Sequence, residues 1–140
     1  MTTRYVLVVV NVGKAIQNNN LADYVYMVDT TGHVGYNGEG GNELLTLCRV
    51  RDTIVWSVVS INPGNDVAIS GFGGQAIREE MITPTQIAGT GGTSWSSIVS
   101  KTGTGVQYTL SLILDDDVAH PKSFDPFITA TPIGNITDDE

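Results

Sequence analysis

VQYTLSLILDDD, residues 106–117, carries the clearest strand pattern in the chain. Val106, Tyr108, Leu110, Leu112 and Leu114 take every second position, with Gln107, Thr109 and Ser111 between them. A period of two places the apolar set on one face of a β-strand and the polar set on the other. The strand runs into Asp115, Asp116 and Asp117, the densest carboxylate cluster before the chain's last residues. A strand and a candidate cation site thus share one stretch.

Working outward, residues 94–100 read as a strand carrying Trp95 and Ile98, and the glycines at 103 and 105 as a turn. Residues 124–131 (FDPFITAT) read as the last strand, with Pro126 implying an edge or a bulge. Toward the N-terminus, residues 53–61 place Ile54, Trp56 and Val58 on one face, and Asn62-Pro63-Gly64-Asn65 makes a strong turn before a strand at 67–72. Strands are also expected at 23–30 and 44–50. Residues 5–12 are an almost unbroken β-branched run, as expected for a strand covered on both faces. Residues 14–21 contain QNNN and read as a loop, residues 33–41 as a glycine-rich loop, and residues 75–81 as the one short helix. Short strands punctuated by turns about every ten residues predict an all-β fold, an antiparallel β-sandwich of Ig-like or jelly-roll-like kind. One sandwich domain is expected over residues 1–134, with an acidic tail at 135–140.

The chain has 140 residues, a size that suits one core without staples. Its formal net charge of −8 argues against nucleic acid and against an anionic membrane surface as partners. Cys48 stands alone in an apolar run, so intrachain disulfides and Cys-rich zinc sites are out, and a small core residue is expected. No apolar run reaches the roughly 20 residues of a membrane helix, and YVLVVV after Arg4 is too short for a signal peptide. A cytoplasmic protein is expected.

The order of segments is informative too. VLVVV near the start precedes Tyr26-Met27-Val28-Asp29-Thr30-Thr31-Gly32, then a glycine-rich stretch. After these come Val50, Asp52, Ile54, Trp56 and Ser60, then Tyr108, and then Asp125-Pro126-Phe127-Ile128. This sequence of motifs resembles the bacterial AidA/PixA inclusion-body protein family, with Arg51 where that family tends to have glycine. The resemblance implies a β-sandwich that is often a homo-oligomer, linked to secondary metabolism, quorum sensing or host interaction. It implies no enzymatic activity, and it supplies no catalytic residues to transfer. Inclusion bodies or non-classical release are the fates it implies.

The residues themselves raise three kinds of chemistry. Asp115, Asp116 and Asp117, joined by Asp125, are candidate oxygen ligands for Ca²⁺, which takes 6–8 of them; a solvated strand end that discourages edge pairing is the simpler reading. Tyr36 and Trp95, aromatics beside glycine-rich loops, are candidates for a carbohydrate-binding surface, and with the Asp cluster they make a lectin-like module the main alternative. A small hydrolase using His120, Asp117 and a serine is the remaining alternative; no Gly-x-Ser-x-Gly elbow supports it.

Overall fold

The computed structural model describes residues 2–30 and 44–133. In chain order these form β1 (Thr3–Val10), α1 (Val12–Gln17), β2 (Val25–Asp29), β3 (Leu45–Arg49), β4 (Thr53–Ser60) and β5 (Val67–Gly73). Then follow α2 (Gln75–Arg78), β6 (Thr85–Gln86), β7 (Ser94–Ile98), β8 (Gly103–Gln107), β9 (Thr109–Leu114), β10 (Lys122–Phe124) and β11 (Phe127–Thr131). The fold is all-β, as the period-two patterns require.

One layer is a five-stranded sheet of order β2-β1-β4-β7-β6. The other is assembled from two three-stranded ladders, β10-β9-β5 and β3-β11-β8. The ladders are continuous with one another. The pairing of Lys122 with Leu112 and of Phe124 with Leu110 keeps its register into Phe127 with Gln107 and Ile128 with Val106. Across the break, the Tyr108 N–H donates to the Pro126 carbonyl at 3.0 Å. Pro126 thus interrupts the last strand as its missing N–H demands, yet its carbonyl keeps the ladder closed. The strand it leads into lies between β3 and β8, so Pro126 marks a break and not a sheet edge.

The stretch 106–114 does what its spacing predicts. Val106, Tyr108, Leu110, Leu112 and Leu114 are all buried, and Thr109, Ser111 and Ile113 between the leucines are half-exposed. Facing them across the core, β4 buries Ile54, Trp56 and Val58, and β1 buries Val6, Val8 and Val10.

Two features depart from the expected plan. β1 pairs with β4 in parallel over eight residues, from Thr3 with Thr53 to Val10 with Ser60, and β3 pairs with β11 in parallel. Short connections favour antiparallel neighbours, but these partners are remote in sequence, and the intervening strands make the crossing. The second departure is α1, in a segment that reads as a loop. Asn11 ends β1 and caps the helix, its side-chain oxygen accepting from the Lys14 N–H at 3.3 Å, while Val12 and Ala15 are buried. The asparagine run then ends it, Asn19 taking a left-handed φ of 48°.

The β1–β4 alignment is fastened by Asp52, just 3% exposed. Its Oδ1 accepts from the Thr2 N–H at 3.0 Å, and its Oδ2 from Arg4 Nε at 3.2 Å and from the Arg49 N–H at 2.9 Å. One carboxylate therefore joins the start of β1, the end of β3 and the entry to β4.

The layers are joined by an aromatic cluster. Trp56 Nε1 donates to the buried Tyr108 hydroxyl at 3.1 Å, and Phe72 packs 4.7 Å from the Trp56 ring centroid and 6.2 Å from that of Tyr108. The chain leaving β5 passes Tyr108 closely enough that a Cβ on Gly74, whose φ is 86°, would lie 3.0 Å from the Tyr108 Cα. Only glycine combines that backbone with that approach. Burial without a charged partner pushes the Tyr108 hydroxyl's pKa up, against the opposing effect of the Trp56 hydrogen bond.

Cys48 is 4% exposed, a core residue as expected, with its Sγ donating to the Thr129 carbonyl at 3.5 Å. Burial pushes its thiol up from 9.0 to about 12, with the Asp52 charge adding to the effect and Arg4 opposing it.

Two outcomes follow for stability. Tyr108→Phe leaves the Trp56 N–H buried without an acceptor and should cost about 1–3 kcal/mol in urea denaturation, with the m-value unchanged. The thiol of Cys48 holds its proton in the folded state between pH 9.0 and about 12, where the unfolded chain loses it. Stability therefore falls as pH rises through that window. Urea midpoints at pH 8 and pH 10.5 should show the fall, and Cys48→Ala should reduce its slope.

Candidate interaction face

The five-stranded sheet buries one face and bares the other. β1 alternates buried and exposed residues, so the apolar run that predicts cover on both sides is covered on one. Its outward residues are Tyr5 and Leu7, with Val9 half-exposed. The register sets Val28 beside Leu7 and Tyr26 beside Val9 on one flank, and Val55 beside Tyr5 and Val59 beside Val9 on the other. Ile98 of β7 lies next to Thr53, and Ser94 and Ser96 complete the surface. Ile98 is 60% exposed, Tyr5 56%, Val59 45%, Tyr26 43% and Leu7 38%. Between Tyr5, Leu7, Val28 and Ser57 the face dips into a hollow of about 270 Å³, which reaches Asp29 and Thr30 at the end of β2.

This face carries no charged side chain among the described residues of its five strands. Those strands hold two charged residues, Arg4 and Asp29. Both alternate with the outward set: Arg4 is buried against Asp52, and Asp29, paired with Val6, accepts from Thr46 Oγ1 at 2.8 Å. An antiparallel sheet facing water ordinarily presents polar residues there. In a chain of formal net charge −8, an uncharged patch of this extent is unusual.

The candidate cation ligands are placed apart. Asp115 and Asp116 take left-handed φ angles of 52° and 61°, turning the chain sharply at the end of β9. Asp115 accepts from Asn65 Nδ2 at 2.6 Å and from the Asp66 N–H at 2.9 Å, lacing this turn to the one at residues 62–65. Asp117 pairs with His120 Nδ1 at 3.1 Å, and Asp125 accepts from Thr109 Oγ1 at 2.9 Å. Among the described residues, no three His, Cys, Asp or Glu side chains converge. The hollow of about 440 Å³ beside His120 and Asp117 is lined by Ile16, Asn19, Leu114, Asp115 and Lys122 with that pair, and offers no Ser, Thr or Cys as nucleophile.

Of the two candidate carbohydrate ligands, Tyr36 lies outside the described residues. Trp95 is half-buried; its ring packs 5.5 Å from Phe72 and its Nε1 donates to the Gly92 carbonyl at 3.2 Å. It extends the core's aromatic cluster to the sheet's rim. Sequence reasoning passed over the bare face because a continuous apolar run looks the same whether its second face is covered or not; Tyr5 and Tyr26, amphipathic aromatics in strands, were the available signal.

With Asp115, Asp117 and Asp125 engaged by separate partners, millimolar Ca²⁺ should leave the thermal midpoint where EDTA leaves it; a ligand confined to the native state would raise it.

Among the described residues no helix is long and apolar enough to cross a membrane, which says nothing of β-barrels. No curated protein matches the chain by sequence. The crystal structure of an inclusion body protein, PixA, from Burkholderia cenocepacia J2315 is similar in fold, with a TM-score of 0.64 over 94% of each chain at 15% identity. The fold that the motif order implies is therefore the fold observed. By sequence, residues 3–120 match DUF8788, a domain of unknown function. The chain belongs to the DUF8788 family, and it is built on the fold that the PixA inclusion body protein also has.

Proposed function

We propose that this protein works without catalysis, as a PixA-like accessory protein of the cytoplasm that associates with copies of itself. The observation that carries the proposal is the uncharged apolar face, from which Tyr5, Leu7, Tyr26, Val59 and Ile98 project. Contiguous exposed apolar surface is costly in water and marks contact with another surface. Two further observations support it. The hollow beside His120 and Asp117 has no nucleophile in its lining. Cys48, the one thiol in the chain, is buried and holds its proton, so it is no nucleophile either.

Light scattering on the purified chain tests the reading. A molar mass above the 14.9 kDa of one chain, increasing with concentration over the micromolar range, is the expected result. A strict monomer at the highest soluble concentration would overturn it.

A further inference from the structure

We infer that two copies close on each other through the outer faces of their five-stranded sheets, and that assembly stops at two. This rests on the self-association reading and names its surface and its stoichiometry.

Charge selects the surface. Each chain carries a formal net charge of −8, so most approaches of one copy to another bring carboxylates together. Such repulsion is screened only beyond roughly 8 Å at physiological salt. The outer face of the five-stranded sheet is where two copies meet without setting like charges side by side. A second copy also offers that face what it lacks in water, an equally uncharged apolar sheet.

The extent is adequate. Tyr5, Leu7, Tyr26, Val59 and Ile98, exposed between 38% and 60%, present on the order of 500 Å². Half-exposed Val9, Val28 and Val55, with the serines between, bring the patch toward the roughly 800 Å² per partner of a standard interface. Two sheets laid face to face, their strands about 30° apart, interdigitate such side chains as the layers of a sandwich do.

Closure at two follows from the other layer. Its outer face also has apolar residues, Leu47 at 37% and half-exposed Leu45, Ile113 and Phe127, but they are interspersed with Gln107, Thr109, Ser111 and Thr129 and with the charged Arg49 and Asp125. A chain with one adhesive face, applied to the same face of a copy, makes an isologous contact that uses both and leaves none for a third.

Light scattering on the full chain, alone and with substitutions, tests each part. Wild type should give twice 14.9 kDa, and added salt should strengthen the dimer by screening repulsion. Leu7→Lys and Val59→Glu should each return the mass of one chain, with unchanged circular dichroism, because each buries a charge twice across the two-fold axis. Leu47→Glu, on the opposite layer, should remain dimeric. A wild-type monomer would overturn both the self-association reading and this inference. A dimer that survives both face substitutions would overturn the face alone, and larger open assemblies would overturn closure at two. Should the variants fail to fold, side-chain footprinting of wild type decides: Tyr5 and Tyr26 should gain protection as concentration rises, and constant reactivity would overturn the assignment.

Discussion

The parallel alignment of β1 with β4 fixes which side chains of the five-stranded sheet face the core. Side chains alternate along a strand, so a slip of one residue would turn Val6, Val8 and Val10 to water and bring Tyr5, Leu7 and Val9 into the core. Hydrophobicity alone discriminates weakly between these registers, because both sets are apolar. Asp52 does discriminate. Its carboxylate binds the Thr2 N–H and Arg4 at one end of the pairing and the Arg49 N–H from β3. A charge 3% exposed is tolerable only with those partners in place. The pin therefore works as a specificity device more than as a source of net stability, in keeping with the desolvation cost of buried ion pairs.

Once the register is fixed, the two faces of the sheet acquire different fates. The inward set meets Tyr108, Leu110 and Leu112 of the opposite layer, with the Trp56–Tyr108 hydrogen bond spanning the core. The outward set is left apolar and uncharged. The same β-branched composition that makes β1 a strong strand thus leaves its outward side apolar.

Much of this was legible in the sequence wherever alternation was clean. Leu110, Leu112 and Leu114 announced their buried side, as did Ile54, Trp56 and Val58; Pro126 announced an irregularity, but as an edge or a bulge where the structure has a break between two strands. What stayed hidden is what local period cannot encode. Pairing partners fifty residues apart leave no periodic trace, so the parallel alignments were invisible. α1 is six residues long and owes its existence to the Asn11 cap and two buried side chains, beneath the resolution of a helical pattern. Composition displayed the aspartates at 115–117 but not their partners; two of them serve a left-handed turn. Arg51, standing where the resembling family tends to have glycine, has a φ of 81°, so the backbone keeps a glycine-like conformation there without the glycine.

The parallel pairing also has a consequence during synthesis. β1 leaves the ribosome ahead of its partner β4, which follows fifty residues later, an interval of several seconds at roughly 5–20 residues per second. Through that interval the nascent chain holds a segment apolar on both sides, with β2 as its sole early neighbour in the five-stranded sheet. Until β4 arrives, that segment is open to the association between nascent chains that transiently bared apolar surface invites.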